Sequence, residues 1–295
     1  MLQTTDFAGL RVAAFESRRA ADMARLIEKF GGVASVSPSM REVPLGNNAE
    51  AIEFARQVIS GEIDVVVLTT GVGFRHLLAE IDAAETTGDK TTDASTEGSV
   101  NRETFLQALG DRITVVRGPK PVVALAEVGL KPTHRAGEPN TWREVLTSID
   151  THVPLAGKTI GIQEYGKPNV ELASALEDRG ATVHCVQIYR WDFPEDTGPL
   201  ADNLRAIAEG QRDVALFTSA HQAVNLLRMA EQLDLAESVP DQFRRLVVGS
   251  IGPTTSEMLR ELGLPVDLEP EHSKMGRLVA AASEQAGPLL QAKRR

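Results

Sequence analysis

The stretch Asp64–Thr70, which reads DVVVLTT, decides the fold because the chain contains it twice. It returns as Asp213–Ser219, which reads DVALFTS, 149 residues later. The residues upstream of it are repeated as well, because Gly9–Ala13 (GLRVA) returns as Gly157–Gly161 (GKTIG) at an offset of 148 residues. The sequence therefore contains one α/β unit written twice, which predicts two lobes and a cleft between them.

Length, composition and charge limit the classes of protein to which this chain can belong. The 295 residues, of which 42 % are apolar, are enough for two domains that each bury a core. A net charge of −10 argues against general nucleic-acid binding, because a surface that follows phosphates needs clustered Lys and Arg. We expect no membrane segment and, because no signal sequence follows Met1, a cytoplasmic protein. The six His residues have no metal-ligand spacing, and the single Cys185 is predicted to be a buried structural thiol.

Strand-like apolar runs alternate with amphipathic helices along both copies. Met23, Leu26, Ile27 and Phe30 form one helical stripe, and Val65–Leu68 is a fully apolar strand of the kind that is covered on both faces. This alternation predicts an α/β fold with parallel sheets flanked by helices. Residues 82–101 are rich in Thr, Asp, Ser, Glu and Gly, so they are predicted to be a mobile surface insertion.

Two extended segments leave the arrangement of the lobes open. Ser35–Val43 and His184–Phe193 occupy equivalent positions in the two copies. If they pair as a ribbon, the first strand and helix pack with the C-terminal residues, and the middle of the chain forms the other lobe. The alternative is two sequential lobes divided near Pro154, and periodicity alone does not choose between the two.

The chemistry-bearing positions lie where strands end and helices begin, since ligands bind there in open α/β sheets. Four such turns combine small residues with a hydroxyl or a cation: Thr69–Gly73, Arg117–Lys120, Thr218–His221 and Ile251–Thr255. Each alone is also typical of an ordinary helix cap, but four in matching places favour a binding site for anions.

Other motifs are incomplete. Gly71 and Gly73 resemble the start of a dinucleotide-binding loop, but His76 stands at the third glycine position. Asp64 and Asp213 begin their strands, whereas a phosphate-accepting Asp would end one. The sequence also has no Walker loop and no nucleophile elbow.

Together, four segments resemble the uroporphyrinogen-III synthase family. They are Leu68–Arg75, Val186–Arg190, Phe217–Ala220 and Ile251–Thr255, and Tyr165–Pro168 is similar to the bacterial branch. The resemblance extends from Leu10 to about Ala282. It implies two flavodoxin-like lobes joined by a two-stranded β-ribbon, with residues 1–38 and 190–295 in lobe 1, residues 44–184 in lobe 2, and residues 39–43 and 185–189 in the ribbon.

The resemblance also implies a cofactor-free lyase. In that family the linear tetrapyrrole hydroxymethylbilane loses its terminal hydroxyl to give an azafulvene, and the substituted carbon of the far ring attacks to form a spiro intermediate. Fragmentation and reclosure then leave that ring inverted in uroporphyrinogen III. The substrate carries eight carboxylates, which suits helix N-termini and scattered cations. A monomer is implied, with transient contact to hydroxymethylbilane synthase and no nucleic-acid or membrane partner.

The residues that match the family's motifs are one tyrosine and a set of anion-binding positions. Tyr189 corresponds to the family's implicated tyrosine and would donate a proton to the leaving hydroxyl; the alternative is that it is a packing residue at the lobe junction. The expected substrate-binding residues are Arg18, Thr70, Gly71, Val72, Lys120, Lys167, Ser219, Ala220, Thr254 and Thr255, with charge added by Arg75 and Arg190. A non-catalytic two-lobed binding or regulatory module of the same fold is the alternative.

Overall fold

The computed structural model describes residues 6–46, 49–87, 100–164, 166 and 168–295, along which strands and helices alternate. The strands are β1 Arg11–Ala14, β2 Val33–Val36, β3 Arg41–Pro44, β4 Val65–Leu68, β5 Ile113–Val116, β6 His134–Arg135, β7 Thr159–Gln163, β8 Thr182–Val186, β9 Tyr189–Asp192, β10 Val214–Phe217 and β11 Val247–Ser250. The helices are α1 Ala20–Lys29, α2 Ala49–Ser60, α3 Gly71–Thr87, α4 Arg102–Gly110, α5 Pro119–Ala126, α6 Trp142–His152, α7 Val170–Glu177, α8 Gly198–Ala208, α9 Ala220–Gln232, α10 Ser238–Phe243, α11 Pro253–Glu261 and α12 Met275–Lys293.

Internal contacts divide the chain into two compact units. Unit 1 comprises Met1–Arg41 and Trp191–Arg295, and unit 2 comprises Glu42–Arg190. Each unit contains one parallel sheet, and β3 and β9 form a separate two-stranded sheet where the chain passes between the units. The predicted fold class is therefore confirmed.

The exact lobe and ribbon boundaries remain a prediction. In the structure the ribbon strands are Arg41–Pro44 and Tyr189–Asp192. Ser35 and His184, which the sequence placed in the extended crossing segments, instead lie in β2 and β8 and pair with sheet strands. Both segments therefore continue the sheets before they enter the ribbon.

The sheet of unit 1 has the strand order β11-β10-β1-β2, and all its pairs are parallel. Alternate side chains of β1 enter different cores. Ala13 packs on the side of helices α8 to α11, and Val12 and Ala14 pack on the side of α1 and α12. Because helices cover both faces, β10 and β11 are buried throughout and β1 is buried after Arg11, whereas the edge strand β2 begins with the exposed Val33.

The sheet of unit 2 has the strand order β6-β5-β4-β7-β8 and is also parallel. All four residues of β4 are buried, as the unbroken apolar run predicted. Val65 and Val67 pack with α6 and α7 on one face. In both units the repeated strand, β4 or β10, thus lies inside its sheet, between β5 and β7 or between β11 and β1.

An aspartate at the start of the repeated strand fixes its register in both units. Asp64 Oδ2 accepts a hydrogen bond from Thr159 N at 2.9 Å, and Lys158 Nζ donates to Asp64 Oδ1 at 2.7 Å. In unit 1 Asp213 Oδ2 accepts hydrogen bonds from Arg11 N and Arg11 Nε, both at 2.9 Å. Each carboxylate therefore joins the repeated strand of one copy to the first strand of the other copy, which lies beside it in the same sheet. This explains why Asp stands at the beginning of the strand.

Helix α3 is longer than the sequence indicates. The insertion is predicted to begin at residue 82, but helix α3 continues to Thr87. Thr86 Oγ1 donates to the Asp82 carbonyl at 2.8 Å, and Asp82 forms an ion pair with Arg102. The stretch Ala83–Glu85 consists of good helix formers, so low hydrophobicity did not end the helix here. The middle of the predicted insertion, 88–99, lies outside the described residues, and its mobility remains a prediction.

Candidate functional site

Each sheet has one position where the order of the strands reverses, and the carboxyl ends of the strands there form a crevice. In unit 2, β5 and β6 follow β4 on one side, while β7 and β8 follow on the other, so the reversal lies between β4 and β7. In unit 1 it lies between β1 and β10. The turns that the sequence singled out after β4 and β10 therefore lie at the two reversal points.

In unit 2 a hydroxyl pair and a glutamine organise the reversal point. Thr69 Oγ1 donates to the Gln163 carbonyl at 2.7 Å, and Thr70 N donates to Gln163 Oε1 at 3.3 Å. Thr70 Oγ1 in turn accepts from Gly73 N at 3.1 Å and so caps the start of α3. Gln163 was not identified from the sequence, because a single glutamine at a strand end carries no motif.

Tyr189 joins this group from the start of β9. Its side chain is fully buried, and its hydroxyl oxygen lies 3.4 Å from Thr70 Oγ1. The His76 ring lies beside it, with ring centroids 5.9 Å apart. Burial lowers the pKa of His76, and the charge of Glu80 opposes this only in part, so the neutral imidazole is favoured. The structure thus brings the predicted catalytic tyrosine to a predicted substrate-binding threonine.

Two glycines allow the close approach at the start of α3. A Cβ atom on Gly71 would collide with the Lys120 carbonyl, and one on Gly73 would collide with the Gln163 amide and Thr70 Oγ1. The start of α3 therefore packs against the start of α5, which brings the turn of Gly71 close to Lys120. Lys120 is exposed at the second position of α5.

Arg75 is engaged elsewhere. Its guanidinium donates to both Glu127 carboxylate oxygens, at 2.8 and 2.7 Å, and this hydrogen-bonded pair raises the pKa of Arg75. The binding of substrate carboxylates by Arg75 remains a prediction, and a substrate carboxylate would have to compete with Glu127 for this guanidinium group.

In unit 1 a glutamate and a glutamine organise the equivalent position. Thr218 Oγ1 donates to Glu16 Oε2 and accepts from Gln222 Nε2 at 2.8 Å. Gln222 Oε1 accepts from the backbone N–H groups of Thr218 and Ser219, at 2.7 and 3.2 Å. Glu16 and Gln222 were not identified from the sequence, although the spacing of Ser219 and Gln222 is that of a capping box.

This network changes what the start of α9 can offer a ligand. The backbone N–H of Ser219 is satisfied inside the protein, so an anion must compete with Gln222 for it. The Ser219 side chain is half-buried, and Ala220 is buried. Arg18, two residues after Glu16, is exposed.

The second of the turns singled out in unit 1 lies after β11. Thr254 is half-buried, but Thr255 is only 4 % exposed, and its N–H donates to the Gly252 carbonyl at 3.0 Å. A Cβ atom on Gly252 would collide with Ser273 Oγ. Of the two threonines, Thr254 is therefore the one with a partly accessible side chain.

The turn after β7 is described only in part, because Tyr165 and Lys167 lie outside the described residues. Glu164 is 3 % exposed and accepts from Asn169 N at 2.9 Å, and its burial raises the pKa of its carboxyl group. Cys185 is exposed on the edge strand β8, so the prediction of a buried thiol is wrong. Its sulfur nevertheless lies against Glu164, and partial desolvation together with that negative charge raises the pKa of Cys185 to about 12.

The part of the chain that the structure describes has neither a cluster of metal ligands nor a membrane-spanning helix. No group of three or more His, Cys, Asp or Glu side chains in this part of the chain could hold a metal ion. No helix among the same residues is long and apolar enough to cross a membrane.

Comparison with known proteins agrees with this architecture. The family model described as uroporphyrinogen-III synthase HemD matches residues 21–280. The chain is similar to the uncharacterized protein YjjA of Bacillus subtilis, with 29 % identity over 92 % of this chain and 94 % of that one.

The chain is also similar to solved structures of uroporphyrinogen III synthases. A mutant uroporphyrinogen III synthase from the extremely thermophilic bacterium Thermus thermophilus matches with a TM-score of 0.67 and 25 % identity, over 95 % of this chain and all of that one. The wild-type enzyme in another crystal form matches with a TM-score of 0.50 and 26 % identity, over 97 % of this chain and all of that one. With a family match over most of its length and a repeated sheet whose reversal points bear the expected turns, the chain belongs to the uroporphyrinogen-III synthase family.

Proposed function

We propose that this chain is a uroporphyrinogen-III synthase, which closes hydroxymethylbilane into uroporphyrinogen III with inversion of the terminal ring and loss of water. The observation that carries the proposal is the hydroxyl pair of Tyr189 and Thr70, 3.4 Å apart at the reversal point of unit 2. The pair supports the proposal because Tyr189, which the family resemblance implicates as the proton donor, lies beside the start of α3, and helix starts can bind anions.

Tyr189 would act as the proton donor to the departing hydroxyl. A tyrosine hydroxyl, whose ordinary pKa is about 10, keeps its proton at neutral pH. Protonation turns the hydroxyl of the substrate into water, which is a better leaving group, and leaves the azafulvene. The neutral His76 ring beside Tyr189 adds no competing positive charge. Because Tyr189 is fully buried, turnover requires that substrate binding makes its hydroxyl accessible.

Substrate carboxylates would be bound by helix starts, hydroxyls and exposed cations. The proposed residues in unit 2 are Thr70, Gly71, Val72, Lys120 and Lys167. Those in unit 1 are Arg18, Ser219, Ala220, Thr254 and Thr255. Among them Arg18 and Lys120 are exposed cations, whereas Thr255 is only 4 % exposed. We expect Arg18 and Lys120 to contribute more to binding than Thr255.

The remainder of the proposal follows the family. It comprises a reaction that needs no cofactor, a monomeric cytoplasmic protein, and transient contact with the synthase that supplies hydroxymethylbilane. The main task of the enzyme would be to hold the linear substrate folded so that the substituted carbon of the far ring is the one that attacks.

The test is an assay of the product isomers. Purified protein is incubated with enzymatically made hydroxymethylbilane, the products are oxidised, and the type I and type III isomers are separated by chromatography. We expect type III to predominate, while a sample without the protein gives type I. Formation of type I alone, at the rate of the sample without protein, would refute the proposal.

One observation favours a second candidate function. Complete burial of Tyr189 is also what a packing residue shows, and a non-catalytic binding module of this fold would need no accessible donor. The same incubation distinguishes the two candidates, because such a module would bind the tetrapyrrole without changing the ratio of the isomers.

A further inference from the structure

A basic cavity opens at the amino-terminal edge of the sheet of unit 1, the edge at which β10 and β11 begin. Its volume is about 320 Å³, which is at the lower end of the range for small-molecule sites. Three guanidinium groups line it, those of Arg212, Arg245 and Arg294, together with one carboxylate, that of Glu209. This concentration of positive charge is unexpected in a chain whose net charge is −10.

The contacts of these arginines leave charge uncompensated. Arg212 Nε donates to the neutral amide oxygen of Asn203 at 2.8 Å, and its side chain is half-buried. Arg294 Nη2 donates to Asp213 Oδ1 at 2.8 Å, but Asp213 is also the partner of Arg11. The exposed Arg245 side chain makes no hydrogen bond or ion pair with the described part of the chain.

The electrostatics of Arg212 agree with this geometry. Burial lowers the pKa of Arg212, and the nearby charge of Arg11 lowers it further, while Asp213 offsets only part of this. A bound anion would offset the repulsion between Arg212 and Arg11.

The other copy of the repeat shows that the fold needs neither Arg212 nor Arg245 at these positions. Val214 pairs with Val247 as Val65 pairs with Ile113, so the two strand starts are equivalent. In unit 2, Ile63 then occupies the position of Arg212, and Asp111 that of Arg245. The same strand starts thus form with an apolar residue and an acid.

We propose that Arg212, Arg245 and Arg294 form a binding site for the phosphate group of a small molecule, separate from the proposed catalytic function. Guanidinium groups bind phosphate oxygens through paired hydrogen bonds. A phosphate carries up to two charges and three terminal oxygens, so it can satisfy three arginines, whereas a single carboxylate has one charge and two oxygens.

The test is calorimetric titration of the full-length protein with pyrophosphate at physiological salt. We expect saturable binding at one site per chain. Arg245→Gln should weaken it at least about tenfold, since it removes one charge-assisted contact. Arg245→Lys keeps the positive charge but loses the paired hydrogen-bond donors of the guanidinium group, so it should weaken binding less than Arg245→Gln does. Arg205→Gln is the matched control, because Arg205 is an exposed arginine of the same unit that pairs with Asp202 at 3.0 Å.

Each other outcome refutes the proposal. Absence of pyrophosphate binding does so directly. An equal loss in Arg245→Gln and Arg205→Gln would mean diffuse attraction to the surface instead of a site. Equal affinity for malonate would mean that the cavity does not distinguish phosphate from carboxylate groups. Arg245 lacks a partner in the described residues, so its variants should keep the wild-type unfolding temperature.

Discussion

Thr70 and Tyr189 are 119 residues apart in the sequence, yet their hydroxyl oxygens lie 3.4 Å apart. Thr70 ends the turn after β4, and Tyr189 begins β9, so the pair joins the reversal point of the unit 2 sheet to the ribbon strand. The Thr70 hydroxyl accepts a hydrogen bond from Gly73 N in the first turn of α3 and also lies beside the Tyr189 hydroxyl. Changes at either residue should therefore affect the other.

Tyr189→Phe should lower turnover by roughly 10- to 10⁴-fold, the range for losing one acid or hydrogen-bond donor. The ring and its packing remain, so the free energy of unfolding should fall by no more than about 1 kcal/mol. Turnover of hydroxymethylbilane at saturating substrate and urea unfolding check the two parts. The residual product should still be type III, because the isomer depends on how the substrate is folded. Unchanged turnover would mean that the hydroxyl leaves without this residue.

The coupling between the two hydroxyls can be measured by a double-mutant cycle in unfolding free energy. Thr70→Val and Tyr189→Phe should be non-additive by about 0.5–1 kcal/mol, since each removes a partner of the other. Thr69→Val is the control, because Thr69 Oγ1 donates to the Gln163 carbonyl. Its effect should add to that of Tyr189→Phe. Additive effects for Thr70 as well would contradict the pairing.

Gly71→Ala should destabilise the protein by about 1–3 kcal/mol, because the new Cβ meets the Lys120 carbonyl, which belongs to a helix backbone and cannot turn away. The matched control is Gly276→Ala in α12, where a Cβ finds open space. Urea unfolding of both variants checks the prediction. Equal stability of the two would show that α3 and α5 can separate at no cost.

Asp213→Asn should lower the unfolding free energy at pH 7 by about 2 kcal/mol, because the charge-assisted hydrogen bonds from Arg11 and Arg294 are lost. This value is smaller than that for two buried ion pairs, since both arginines are partly exposed to solvent. The hydrogen bond from Arg11 lowers the pKa of Asp213 below its ordinary value. Because the folded pKa is lower than the unfolded one, the stability is present above about pH 4 and is lost as the pH falls below it. The difference in unfolding free energy between the wild type and Asp213→Asn should thus be constant from pH 7 to 5 and should decrease below pH 4.

The equivalent substitution in unit 2 gives the control. Asp64→Asn should cost less at pH 7, because the Asp64 side chain is 34 % exposed while that of Asp213 is 7 % exposed. Unfolding curves of both variants across this range of pH measure the difference. A larger effect at Asp64 would show that burial does not determine the strength of these ion pairs.

The fold was largely predictable because its signals are local. The apolar run Val65–Leu68 and its repeat gave two buried strands, and the alternation with helices gave two parallel sheets. The extent of α3 was not predictable, because the Asp82 to Arg102 ion pair depends on a residue beyond the insertion. Cys185 was misplaced because an apolar neighbourhood does not show that a strand lies at the edge of its sheet.

The candidate site was predictable in part. The turns after β4 and β10 follow from the pattern of strand ends, and Tyr189 follows only from the family resemblance. Gln163 and Glu16 could not be found, because their roles depend on which strands become neighbours. The occupied donors at Ser219 could have been anticipated, since Gln222 stands at the capping-box position.

The pairing of β1 with β10 determines the order in which the two units can fold during synthesis of the protein. Val12 pairs with Val214, so the first strand lacks its neighbour until most of the chain has left the ribosome. All five strands of the unit 2 sheet lie within Glu42–Arg190, so that sheet can form earlier. During translation, the N-terminal 41 residues must therefore wait as an incomplete β-α-β segment, exposed to chaperones and proteases, while the middle of the chain folds first.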